Sequence, residues 1–205
     1  MLEIISGGGS SVKISTKSGT LWVDPSSRRT ADKSADVKDV VQLATESHLL
    51  VDQVGEHPRL EGPGEYEAGP FAISGFSVGS FTGVGEATGY RLDVQGVTVG
   101  ILGNGIIDLT EDHLELLGVV DVLVLPVVDG VAGPSPHQAA QLVRRIEPKV
   151  VMPVGVAVAD TTEEPSSAAL ADFVKEIGAD SEASGRIKIK SLGDIPEALT
   201  VILPE

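Results

Sequence analysis

The chain has 205 residues, 41% of them hydrophobic and 22% charged, values that suit a folded protein with a sizeable core and exclude wholesale disorder. Its net charge of −15 argues against binding to phosphate backbones or anionic membranes, both of which need clustered Lys and Arg. There is no cysteine, so disulfides, thiolate catalysis and Cys-ligated metals are excluded.

No run of about eighteen apolar residues is present, so no membrane-spanning helix is expected. The start, MLEIISGGGSS, lacks a basic region followed by an apolar one and does not read as a signal peptide. A cytoplasmic protein is expected, with neither nucleic acid nor membrane as partner.

Leu2 to Ile5 is expected as a short strand broken by Gly7, Gly8 and Gly9. Val12 to Ile14 and Thr20 to Val23 follow as strands around a turn at Lys17 to Gly19, giving a β-meander. A glycine run cradles phosphate when it opens a helix, but here a strand follows it, so a turn is expected. Asp24-Pro25 ends the third strand, where aspartate forms a turn or orients a neighbouring loop. Residues 28–38 are polar and read as irregular.

Val40, Val41 and Leu43 form an apolar run that ends at Thr45 and empties into Glu46-Ser47-His48. Such strand ends are where α/β proteins place their chemistry. Zinc chemistry there would need about four N, S or O ligands, and this loop offers one histidine with Glu46 beside it. Glu61 to Glu67, EGPGEYE, is read as a tight reversal in which the carboxylates of Glu65 and Glu67 diverge rather than act as an acid–base pair. Phe71 to Val78, Ala87 to Val94 and Val97 to Leu102 are three more strands.

The second half alternates strand and helix. Thr110-Glu-Asp-His113 reads as a helix start. Val120 to Pro126 is an apolar run of the kind buried on both faces. Ser135-Pro136 opens a helix through Ile146, with Ala139, Leu142, Val143 and Ile146 on one stripe. Lys149 to Pro153 is a buried strand. Pro165 to Ile177 is a helix whose apolar side is expected to be Ala168, Leu170, Ala171, Phe173 and Val174. Strands Ile187 to Ile189 and Leu199 to Leu203 finish the sheet. His113 and His137, near helix starts, are expected at the surface, and His57 lies in a loop.

Several stretches in this order resemble the metallo-β-lactamase fold, in particular its zinc-dependent hydrolase branch, similar to ascorbate-6-phosphate lactonase. They are Leu21-Trp-Val-Asp-Pro25, Gly62-Pro-Gly-Glu-Tyr-Glu67, Ile101-Leu-Gly-Asn104 and Leu109-Thr-Glu. Further on come Val120 to Pro126, Gln141 to Lys149, Val151-Met-Pro-Val-Gly155 and Ile187 to Pro196. The resemblance implies one domain over residues 1–205 with an α/β (α+β) four-layer αββα sandwich.

The resemblance also implies ligand positions, and here the chain departs from the family. The Thr-His-x-His-x-Asp-His motif falls on Thr45 to Val51, where only Thr45 and His48 match; Glu46, Leu50 and Val51 replace two histidines and an aspartate. A later histidine has no counterpart near residues 76–81. The bridging aspartate falls on Asn104, and the last histidine on Gly155. The same aspartate accepts a proton from the attacking water in this fold, so no general base remains.

The expectation is therefore a metal-free, non-catalytic member of the fold, without cofactor, whose old cleft at Asp24, His48, Asn104 and Gly155 binds a small molecule or whose surface engages a protein partner. A cleft plugged by Leu49, Leu50 and Val51 would favour a structural role. The alternative is a hydrolase with a rearranged site, including a zinc site of Glu46, His48 and His57, or a metal-free one using Ser47 with His48, or Ser10 and Ser11. Self-association through sheet edges or the helix from Pro136 is a third possibility.

Overall fold

The computed structural model describes residues 1–25, 40–45, 57–79, 87–103, 106, 108–129, 133–158, 161–163 and 165–205. Two sheets pack face to face. In the first, β1 (Leu2–Gly8), β2 (Ser11–Ser15) and β3 (Thr20–Val23) form the expected meander. β3 then pairs parallel with β4 (Val40–Ala44), and β4 with β5 (Arg59–Glu61). β15 (Arg186–Ile189) adds to the other side of β1, giving a six-stranded order β15-β1-β2-β3-β4-β5. The glycine run does not break β1, which continues to Gly8 through a register shift at Gly7; the turn itself falls on Gly9 and Ser10.

The second sheet starts as an antiparallel ribbon of β6 (Gly64–Ala68), β7 (Phe71–Gly79), β8 (Ala87–Val94) and β9 (Val97–Ile101). It continues in parallel through β10 (Val122–Pro126), β11 (Val150–Val154), β16 (Thr200–Leu203) and β14 (Asp180–Ala183). A separate hairpin joins β12 (Val156–Val158) to β13 (Thr161–Glu163).

Alternation within β10 shows why its apolar run is continuous. Val122 and Val124 face the first sheet, among Ile4, Ile14, Leu21 and Leu43. Leu123 and Leu125 face the other way, among Leu142, Val143 and Phe173 of the helices. A strand buried on both faces needs no polar alternate. Each such aliphatic side chain contributes roughly 1.5–3 kcal/mol when fully buried.

The three helices described are α1 (Glu111–Leu117), α2 (Pro136–Ile146) and α3 (Ser167–Ile177). The packing of α2 and α3 on the eight-stranded sheet gives the expected α/β sandwich class. Side chains cap all three: Thr110, Ser135 and Ser166 each accept an N–H from the first turn. The stripe predicted for α2 is the buried one; of that predicted for α3, Phe173 is buried and Leu170 and Val174 are half-buried. Ala169 and Phe173 are buried, while Ala168 and Ala171 face solvent. The helix starts at Ser167, and with six apolar residues among the seven from Ala168 to Val174 the periodicity admits more than one face.

Two further expectations are corrected. Glu65 and Glu67 lie on β6 two residues apart, which puts both on one exposed face rather than on diverging ones. Glu65 accepts a hydrogen bond from Ser74 of β7 at 2.8 Å. His113 is half-buried rather than at the surface, stacked on Phe76 with ring centroids 5.9 Å apart, and its Nδ1 accepts the Thr110 N–H. His137 is exposed as expected, paired with Glu176 of α3. Strands β5 and β14 are short polar edge strands without a hydrophobic signature, and the sequence reading misses both. No described helix is long and apolar enough to cross a membrane.

Candidate functional site

The parallel strands of both sheets end on the same side of the sandwich, the position where α/β proteins carry their sites. Asp24 is the first residue past β3, Thr45 the first past β4 and Gly155 the first past β11, and Gly103 follows β9 by two residues. Cross-links tie these ends together. The Asp24 N–H donates to Leu43 O at 2.9 Å within the first sheet, and Leu102 N–H to Val124 O at 3.0 Å within the second. Between sheets, Thr88 N–H donates to Thr45 O at 2.8 Å, and Gly155 N–H donates to Gly9 O at 2.8 Å.

Asp24 is 4% exposed and adopts φ +41°, a left-handed conformation that Asp and Asn tolerate better than other side-chain-bearing residues. Its Oδ1 accepts the Thr45 N–H at 2.8 Å and its Oδ2 the Thr45 hydroxyl at 2.6 Å. Burial pushes the Asp24 carboxyl up to about 6, against the opposing effects of the two Thr45 hydrogen bonds and the Arg59 charge. The aspartate therefore holds the chain at Thr45, with one hydrogen bond to each of its oxygens.

Tyr90 extends this polar seam. Its hydroxyl, fully buried, donates to Ala44 O at 2.8 Å, across the gap between the sheets. Burial pushes the Tyr90 hydroxyl well above the usual phenol range, so it stays a neutral donor. On the far side of Thr45, Gly103 approaches so closely that a Cβ there would lie 2.3 Å from the Thr45 Cβ. Only glycine fits that contact.

Of the four residues expected to line the cleft, Asp24 and Gly155 occupy strand ends on this side of the sandwich, linked through the Gly9 turn that precedes β2. His48 and Asn104 lie outside the described residues, as do Leu49, Leu50 and Val51, Glu46 and Ser47. Thr45, Gly103 and Gly9 are the frame residues that sequence reasoning did not single out as a set. The signals were present, in the threonine that matches the motif and in Gly103 beside Asn104, but nothing in a linear pattern shows that they touch.

Ser10 and Ser11 are 5% and 1% exposed, and among the described residues no base, nor any other hydrogen-bond partner, contacts either hydroxyl, as a serine nucleophile requires. Among the described residues no three His, Cys, Asp or Glu side chains converge, Asp24 is fully engaged by Thr45, and Gly155 brings no donor. These residues do not fit a zinc centre, which takes about four N, S or O ligands.

Comparison with known proteins places this geometry. A profile of the β-lactamase superfamily domain matches residues 3–155. No curated protein matches the chain. Among solved structures, a Thermotoga maritima protein provisionally assigned as a Zn-dependent hydrolase of the metallo-β-lactamase superfamily is similar at a TM-score of 0.72 and 18% identity, over 100% of both chains. A Parabacteroides distasonis protein, provisionally a metal-dependent hydrolase, gives 0.69 and 16% over 100% of this chain and 93% of the other. The metallo-β-lactamase fold protein YhfI of Bacillus subtilis gives 0.66 and 11%, over 100% and 96%. At such identities these likenesses establish the fold.

Proposed function

Because the chain belongs to the β-lactamase superfamily, we propose that it is a metal-free, non-catalytic member whose site end has become a binding surface for a small molecule or a protein partner. The observation that carries this reading is a mismatch between frame and contents. The frame is intact: Asp24 clamps Thr45, Gly103 packs on Thr45, and Gly155 is tied to Gly9. The residues next to those anchors are Glu46, Leu50, Val51 and Asn104, and at the last ligand position stands Gly155 itself. Leucine, valine and glycine have no ligating atom in their side chains, and a neutral amide is a poor substitute for a bridging carboxylate. Zinc-dependent hydrolysis in this fold requires those ligands both to hold the ion and to accept the proton of the attacking water. Relatives described as metal-dependent hydrolases support the ancestry of the frame, not the activity of this chain.

The test is elemental analysis of protein purified without chelator or affinity tag, then incubated with zinc or manganese. The expected result is less than about a tenth of an equivalent of tightly held metal and no thermal stabilisation on adding it, since a ligand that binds the native state must raise its stability. A full equivalent of metal that disappears in His48→Ala would overturn the reading in favour of a hydrolase with a rearranged site.

A further inference from the structure

A second concavity lies on one flank of the sandwich, away from the strand ends just described. There β15 is the outer strand of the first sheet and β14 the outer strand of the second. Gly185 stitches them at one end, donating its N–H to Leu203 O at 2.8 Å and accepting the Ser6 N–H at 2.9 Å. At the other end, residues 190–199 cross from β15 to β16, braced where Asp194 Oδ2 accepts the N–H groups of Lys190 and Ser191 at 2.7 and 2.8 Å. The four sides frame a pocket of about 640 Å³. This falls within the range of small-molecule sites, roughly 300–1,000 Å³.

The floor is apolar. Val150, Ile187, Ile189 and Ile202 belong to the core between the sheets and reach the pocket at their edges, with Ile195 of the crossing segment packed beside them. Glu182, Asp194, Arg186 and Lys188 also line the pocket, and the Glu182 carboxylate, exposed on β14, stands over this floor. Glu182 pairs in register with Ile202 on the parallel neighbour β16, so both side chains project from the same face, the one that looks between the sheets. Glu182 has no ion pair or hydrogen bond among the described residues. The two cations of the rim do not neutralise it. Arg186 and Lys188 alternate with the inward Ile187 and Ile189, and both turn to Glu3 on the outer face, at 3.7 and 3.6 Å.

We propose that this flank pocket binds an amphipathic organic cation, an aliphatic body ending in an ammonium group. The body lies on the isoleucine floor and the ammonium meets Glu182. Two further features favour a cation. The protein carries a net charge of −15, which concentrates positive ligands near its surface. An inward charge on a free strand edge also opposes pairing with a second copy, because that would bury the carboxylate between sheets. A second copy of the chain is therefore the poorer occupant.

The experiment is titration of the intact protein with n-octyltrimethylammonium, n-octanoate and n-octanol, followed by amide chemical shifts. The cation is expected to bind, octanol more weakly and octanoate not at all, with shifts confined to β14, β15, β16 and residues 190–199. Glu182→Gln, a surface substitution that leaves packing alone, is expected to weaken the cation about five-fold, the scale of one partly exposed charge pair. Glu182→Lys is expected to exchange the preference for octanoate. Equal binding of cation and octanoate, no effect of Glu182→Gln, shifts centred elsewhere, or no binding of any probe would each overturn the proposal.

Discussion

The carboxylate of Asp24 accepts both polar hydrogens of Thr45, the N–H at 2.8 Å and the hydroxyl at 2.6 Å. One buried side chain, just past β3, thereby fixes Thr45, the residue just past β4. The arrangement reads as scaffold for a site even when the site's contents change.

Replacing Asp24 separates geometry from charge. Asn keeps the shape, accepts the Thr45 N–H, donates to its hydroxyl and tolerates φ +41°. Asp24→Asn is therefore expected to cost no more than about 1 kcal/mol at pH 7. Asp24→Ala strands the Thr45 donors and loses the tolerated left-handed residue, for about 2–4 kcal/mol. Urea denaturation of both variants measures the difference; equal losses would mean that the clamp carries no stability.

The raised pKa of Asp24 has a stability effect of definite sign. In the folded chain it titrates near 6 and in the unfolded chain near 3.8, so between these values the native state binds more protons. Stability from this group therefore rises as pH falls from about 6 towards 4, by about 3 kcal/mol for a shift of this size. Other carboxylates add their own slopes, so the difference between wild type and Asp24→Asn isolates it. The wild type is expected to gain on the variant upon acidification through that window. A difference independent of pH would show that Asp24 titrates normally.

Gly103→Ala forces a Cβ to 2.3 Å from the Thr45 Cβ and 2.4 Å from its Oγ1, and that short side chain is held in place by Asp24. The expected cost is about 3 kcal/mol or more, at the upper end of overpacking. A melting temperature within one or two degrees of wild type would show that the two strand ends separate easily.

Tyr90→Phe removes the donor that reaches Ala44 O across the sheets. The carbonyl is left buried without its partner, a loss of about 1–3 kcal/mol. Hydrogen exchange at Thr45 and Thr88 is expected to quicken as the seam loosens. Unchanged exchange would confine the effect to packing.

If the frame persists while the ligands are gone, ligands can be returned. The combined substitution Glu46→His, Leu50→Asp, Val51→His, Asn104→Asp and Gly155→His is expected to take up zinc and raise the melting temperature when zinc is added. The same protein without Gly155→His should hold it less tightly. No uptake by the full set would mean that these positions do not face one another.

Much of this protein follows from local pattern. The meander of β1 to β3, the doubly buried runs of β10 and β11 and the capped start of α2 are each set by neighbours a few residues apart, where periodicity and turn chemistry act. The absence of ligating residues at Leu50, Val51 and Gly155 is likewise a property of the sequence alone. Other features depend on residues far apart in the chain. The polar edge strands β5 and β14 form because a neighbouring strand supplies their hydrogen bonds, not because their side chains ask for it. The buried face of α3 is chosen by what α2 and the sheet leave open. The clamp of Thr45 by Asp24, 21 residues away, and its contact with Gly103 exist only once two sheets are packed together, since burial and contact between distant segments are what raise the carboxyl's pKa and make the glycine necessary.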